Sequence, residues 1–102
     1  MSIKKQFLKS KPVCKVTFKV SKAEAKAADT VRLVGEFNDW DTSVEPMKKL
    51  KDGSFTQTLN LETNKAHQFR YLLNDAEWEN DWNADSYVPS QFGFDDNSVV
   101  AL

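Results

Sequence analysis

Apolar and polar residues alternate with a period of two along much of this chain. From Val13 to Val20, Cys14, Val16, Phe18 and Val20 fall on one face and Val13, Lys15, Thr17 and Lys19 on the other, as in a half-buried strand. Ser21-Lys22-Ala23-Glu24 has capping-box spacing ahead of an alanine-rich stretch to Ala28, which fits one or two helical turns or a flexible loop. Val31 to Val34 is a second strand. A polar connection with Pro46 and the turn signal Lys51-Asp52-Gly53-Ser54 lead to a strand from Ser54 to Leu61, with Phe55, Leu59 and Leu61 on one face and Gln57 among them. His67 to Asn74 turns Phe69, Tyr71 and Leu73 inward and Gln68, Arg70 and Leu72 outward. After the turn pair Asn74-Asp75 a short strand carries Trp78, a long loop runs from Asn80 to Asn97, and Ser98 to Leu102 closes the chain as a strand. Short alternating strands with almost no helix predict an all-β antiparallel sandwich of two sheets. Residues 1–12 read as a solvated tail and residues 13–102 as a single domain.

Two segments break the pattern. Val31-Arg32-Leu33-Val34-Gly35-Glu36-Phe37-Asn38-Asp39-Trp40 ends a strand at a glycine and then places an indole among small polar residues, with Asp41, Thr42 and Ser43 beyond it. A buried tryptophan normally sits in an apolar pattern that covers its ring and satisfies its N–H. Trp40 has no such neighbours, so its ring suits a flat apolar ligand face rimmed by hydroxyls, the character of a sugar. The second segment is the Asn80–Asn97 loop, longer than structureless loops usually are. Its aromatics (Trp82, Tyr87, Phe92 and Phe94) argue for a functional loop over a disordered one.

Composition narrows the function classes. At 102 residues the chain holds one sandwich core and falls far short of the roughly 250 residues of a (β/α)₈ barrel. A net charge of −1 with mixed signs gives no field for nucleic acid or a membrane surface, and no apolar run approaches a bilayer span. Cys14 has no second cysteine to pair with, which fits a reducing, cytoplasmic setting and a role as a small core hydrophobe. His67, the sole histidine, lies on an inward face and reads as structural, so no metal or cofactor is expected. Asp75, Glu77, Glu79 and Asp81 alternate, but an EF-hand loop would need glycine and glutamate where Asn80 and Ser86 stand. A chain this short also offers little wall for a cleft between two catalytic carboxylates. No enzymatic activity is expected.

Taken in order, Leu33 to Trp40, Gly53-Ser54-Phe55, His67-Gln68-Phe69-Arg70-Tyr71, Trp78, Ala84 to Pro89, Phe92-Gly93 and Asn97-Ser98-Val99-Val100 resemble carbohydrate-binding module family 48, the isoamylase N-terminal domain. In that family the module precedes the catalytic barrel of branching and debranching enzymes and forms the glycogen-binding domain of the AMP-activated protein kinase beta subunit. The resemblance implies an immunoglobulin-like sandwich of the early-set type that binds α-1,4-glucan such as glycogen or starch. It implies that Trp40 and Trp78 stack on glucose rings, that Arg70 and Asn97 hydrogen-bond hydroxyls, and that Phe92 reaches through the ligand's curve. The chain departs from the kinase module in having Arg70 for lysine, Phe94 for a small hydroxyl residue, and Trp82 where a proline is common.

A coiled α-glucan presents ring faces at a repeating angle, so two non-parallel indoles could each cover one sugar. Covering roughly 80 Å² of apolar surface contributes about 2 kcal/mol per platform. Two or three platforms, less the association cost, give a dissociation constant on the order of 10 µM to 1 mM, useful mainly on a polymer with many equivalent sites. Each residue also has a plainer reading. Trp40 and Trp78 could cap the sandwich, Trp82 could be a local wedge, Arg70 could pair with Glu77 or Asp75, and Phe92 and Phe94 could pack the loop. The two functional readings are a non-catalytic α-glucan module, free-standing and able to partner a separately encoded glucan-active enzyme, and a protein-interaction domain that has lost sugar affinity.

Overall fold

The computed structural model describes residues 1–90 and 96–102. Among the described residues, strands β1 (Ser2–Phe7), β2 (Val13–Val20), β3 (Val31–Gly35), β4 (Lys48–Lys49), β5 (Phe55–Glu62), β6 (Ala66–Leu73), β7 (Glu77–Glu79), β8 (Ser86–Pro89) and β9 (Asp96–Ala101) form two antiparallel sheets. The first runs β1-β2-β5-β4 and the second β3-β6-β9-β8, with β7 also paired to β6. Strands dominate, and the sheets pack face to face as the two-sheet sandwich that the alternation predicts, in the immunoglobulin-like form that the family resemblance implies.

The inward residues of β2 and β6 carry the core. Cys14, Val16, Phe18 and Val20 are fully buried, as are Phe69 and Tyr71 opposite them. Phe18 meets Phe69 edge-on with centroids 5.2 Å apart, and Phe69 meets Tyr71 at 5.6 Å, contacts worth about 0.5–1.5 kcal/mol each beyond their area. His67 is buried with its Nε2 3.1 Å from the Glu62 carbonyl. Gln57 opposes Phe18 in the β2–β5 register, and its Oε1 is buried with no hydrogen-bond partner among the described residues.

The structure revises several sequence expectations. Residues 1–12 are not simply a tail, because Ser2–Phe7 pairs along β2 and Met1 and Ile3 pack on the core. The Ser21–Ala28 stretch forms turns and not a helix. Its capping box closes, with the Ser21 N–H on Glu24 Oε1 at 2.9 Å and the Glu24 N–H on Ser21 Oγ at 3.2 Å, but Lys26 and Ala27 take positive φ and end it. The long Asn80–Asn97 loop is interrupted by β8, whose Ser86–Pro89 pairs with Asp96–Val99. The outer face of the second sheet is also less wet than Gln68, Arg70 and Leu72 suggest. Val34, Leu72 and Val99 on that face are buried, so an aliphatic floor underlies its polar groups.

Candidate functional site

The Trp40 turn is fastened at every preceding residue. β3 ends at Gly35, where a Cβ would stand 2.5 Å from the Gln68 carbonyl oxygen and 2.8 Å from Phe69 Cβ, so no side chain fits. Glu36–Asn38 is a single 3₁₀ turn. Glu36 Oε1 accepts the Gln68 N–H at 2.7 Å, and Phe37 packs near Phe18 and His67. The Asn38 side chain accepts the Gly35 N–H at 3.0 Å and donates to the Leu33 carbonyl at 2.9 Å. The Trp40 N–H then closes on the Gly35 carbonyl at 2.9 Å. Asp39 and Trp40 have φ of 55° and 56°, a conformation that costs a bulky residue on the order of 1–3 kcal/mol and that concentrates at functional positions. The Trp40 ring is half-buried, more covered than its polar neighbours suggest.

Trp78, Arg70 and Asn97 gather on the far edge of β6. There β9 pairs with Ala66–Phe69 and β7 with Tyr71–Leu73, so the two neighbours part at Arg70. An open groove of about 250 Å³ occupies this parting, lined by Arg70, Trp78, Glu79, Asn80, Tyr87 and Asp96. Trp78 is 42 % exposed and stands opposite Leu72 of the aliphatic floor. Arg70 Nε donates to Asn97 Oδ1 at 2.7 Å, and Asn97 Nδ2 donates to Gln68 Oε1 at 3.0 Å. Asn97 is buried with both ends of its amide engaged, a geometry that orients Arg70 more directly than it meets a ligand. Trp40 does not line this groove. It follows β3 on the opposite edge of β6, where Val34 pairs with Arg70. Phe92 and Phe94 lie outside the described residues.

The alternating carboxylates have separate partners. Asp75 accepts from Arg32 Nε at 2.8 Å. Glu77 and Glu79 lie 2.8 and 3.0 Å from Lys26 Nζ, and hydrogen bonds to Glu77, then Glu79, raise the Lys26 pKa above the usual lysine value. Asp81 is fully buried and accepts the Tyr71 hydroxyl at 2.8 Å and the Asn83 N–H at 2.8 Å. Its own N–H donates to Ser98 Oγ at 2.8 Å, and that hydroxyl donates to Asn80 Oδ1 at 2.8 Å. Asn80 Nδ2 in turn donates to the Asp96 carbonyl at 2.7 Å and bridges the groove's two sides. Burial, with the Asp81 charge and hydrogen bond adding to it, pushes the Tyr71 hydroxyl well above the ordinary tyrosine pKa. Among the described residues no group of three or more His, Cys, Asp or Glu side chains is placed to hold a metal ion.

Sequence reasoning missed Gln68, Glu79, Asn80, Tyr87 and Asp96 as neighbours of Arg70 and Trp78. The outward face shared by Gln68 and Arg70 carried a signal for the first. The others depend on where β7, β8 and β9 meet β6, which no local pattern encodes. Trp82 is 54 % exposed, with its backbone N–H 3.0 Å from Met1 Sδ.

An exposed indole and a guanidinium beside amides and carboxylates can cover an apolar ring face while hydrogen-bonding its hydroxyl rim. Comparison with known proteins agrees with that chemistry. Over 58 residues, 56 % of its length, the chain is 36 % identical to the 1,4-alpha-glucan branching enzyme GlgB of Aquifex aeolicus (strain VF5). It spans about 9 % of that enzyme's length. Residues 12–88, including Trp40, Arg70 and Trp78, match carbohydrate-binding module 48 (isoamylase N-terminal domain). The chain belongs to the carbohydrate-binding module 48 family.

Proposed function

We propose that this domain binds α-1,4-glucan such as glycogen or starch without catalysing its conversion. The observation that carries this reading is the exposed Trp78 indole beside Arg70, in an open groove otherwise lined by polar side chains and Tyr87, within a carbohydrate-binding family. Trp78 covers one glucose ring, Arg70 donates to hydroxyls at its edge, and Asn97 holds the guanidinium in place. Trp40, presented by a fastened and strained turn across β6, covers another ring. Phe92 enters the proposed set on the family resemblance alone. The module's part is to hold polymer near a glucan-active catalytic domain, in the same polypeptide or another. The proposed setting is the cytoplasm, where the buried thiol of Cys14 stays reduced. No helix among the described residues is long and apolar enough to cross a membrane.

Co-sedimentation with insoluble amylose tests the reading. The wild-type domain is expected to pellet with the polymer, and Trp78→Ala and Trp40→Ala to stay in the supernatant while melting cooperatively. Failure of the folded wild-type domain to pellet with amylose or glycogen overturns the glucan reading and leaves a protein-interaction role for the sandwich.

A further inference from the structure

We propose that Arg32 is a positioning residue of the same site: it holds the segment after Trp40 and the hairpin bearing Trp78 at a set spacing, so that both indoles meet one glucan chain. This rests on the glucan reading above. Strand register gives Arg32 its face. It pairs with Leu72 of β6, and Leu72 pairs with Trp78 of β7, so the three share one row and point to the same side of the sheet. Val31 and Leu33, on either side of it in β3, are buried in the sandwich interior. From that row the Arg32 guanidinium reaches two loops. Its Nε donates to Asp75 Oδ1 at 2.8 Å, and its Nη1 donates to the Val44 carbonyl. Asp75 belongs to the turn just before Trp78, and Val44 to the segment just after Trp40. That segment is thereby brought to the face on which Trp78 stands.

Each loop is also secured on its own side, which makes Arg32 a joint between two fixed points. Asn74 and Asp75 have φ of 51° and 56°, as the central pair of a tight hairpin turn requires, and the Ala76 N–H closes on the Leu73 carbonyl at 3.0 Å. On the other side the Ser43 N–H donates to Asp41 Oδ1 at 2.8 Å, and the Met47 N–H returns to the Val31 carbonyl at 2.7 Å. Stability is a weak reason for the joint. The Asp75 side chain is 59 % exposed, and an ion pair so open to water adds little to a fold. A planar guanidinium supplies direction instead: two donors at a fixed angle hold two acceptors at a fixed separation, which an ammonium on a flexible stem does not. Fixed separation matters to a site with two platforms. The second indole adds its full contribution only when it already stands where a chain held by the first will pass, with no ordering left to be done.

A double-mutant cycle tests this. Wild type, Arg32→Met, Trp40→Ala and the double variant are titrated with maltoheptaose up to millimolar concentration, with thermal melting as the check on folding. Methionine keeps an unbranched apolar stem and removes the fork. Arg32→Met is expected to weaken binding about fivefold in the wild-type background and by less than about twofold in the Trp40→Ala background, where a single indole is left to place. A residue that touched the sugar itself, or served only the fold, would weaken both backgrounds alike, and that result overturns the proposal. Wild-type affinity in Arg32→Met overturns it, as does wild-type affinity in Arg32→Lys, which keeps the charge without the fork. If wild type does not bind maltoheptaose, the glucan reading falls and the role of Arg32 with it. If wild type binds and Trp78→Ala does not, the glucan reading stands and the cycle judges Arg32 alone.

Discussion

Gly35 shows how one position sets the place of another. Its extended backbone (φ −169°) is open to any residue, so conformational freedom is not why glycine stands here. The reason is contact: β3 lies so close to β6 that an added Cβ would press on backbone at Gln68 and on Phe69 Cβ, neither of which can swing aside. Gly35→Ala is therefore expected to destabilise the domain by about 1–3 kcal/mol, seen as a lower urea midpoint with an unchanged slope. Wild-type stability in that variant would mean that β3 and β6 do not approach as described. The same displacement moves the carbonyl that holds the Trp40 N–H, so glucan affinity should fall beyond what the lost stability explains. Sequence identified this turn well, because Gly35, Asn38 and Trp40 act within a few residues of one another. Arg70 was legible in part: period two sent it outward, but its partner could not be read. Asn97 lies 27 residues away along the chain, and only the pairing of β6 with β9 brings the two together.

β6 is the element on which the two halves of the site depend, and its inward face reaches the groove through Tyr71. The Tyr71 hydroxyl holds buried Asp81, whose backbone holds Ser98 and Tyr87, so a core tyrosine braces the loop after β7. This brace has a pH signature. Tyr71 in the unfolded chain ionises near pH 10, while burial foremost, then the Asp81 charge, raises that point in the folded protein. In the window above about pH 10 the native state keeps a proton that the unfolded state has released. The tyrosine's contribution is thus complete below pH 10 and declines above it, by up to about 1.4 kcal/mol per pH unit. Urea unfolding of wild type and Tyr71→Phe between about pH 9 and pH 11 isolates it, since the lysines are common to both. The variant should be less stable at neutral pH by about 1.5–3 kcal/mol, having taken a donor from a buried carboxylate, and should show a shallower alkaline decline. Equal alkaline slopes in the two proteins would exclude Tyr71 as the group responsible. The strands with clean alternation, β2 and β6, are where sequence and structure agree most closely. β8 escaped notice because Tyr87-Val88-Pro89 offers a single alternating step inside a polar stretch, and pairing with β9 supplies what its own pattern lacks.

The sandwich as a whole is closed along one side by its first strand. β1 hydrogen-bonds to β2 in the first sheet, but its side chains reach the second: Lys5 Nζ donates to Asp85 Oδ2 at 2.7 Å and to the Ala101 carbonyl at 2.9 Å. The same Asp85 oxygen accepts the Ala101 N–H at 2.8 Å. Partial burial pushes the Asp85 carboxyl upward, but the Lys5 hydrogen bond, the Ala101 N–H and the Lys5 charge together outweigh it and hold the pKa below the ordinary aspartate value. Its contribution is therefore present above the unfolded pKa near 4 and is lost as acid protonates the folded group below that. Met1 and Ile3 meanwhile cover core apolar surface. A chain lacking residues 1–9 would leave the backbone edge of β2 unpaired along its whole length, next to newly bared hydrophobic side chains. It is expected to lose at least about 2 kcal/mol of stability and to self-associate, since an open, alternating edge strand is a template for further pairing. Melting curves and sedimentation velocity would show both effects. A truncated chain that stays monomeric with an unshifted melting temperature would show that β1 adds nothing to the fold. Glucan binding measured well below the lowered melting temperature should survive the truncation, because Trp78 and Arg70 stand on strands that β1 does not pair with.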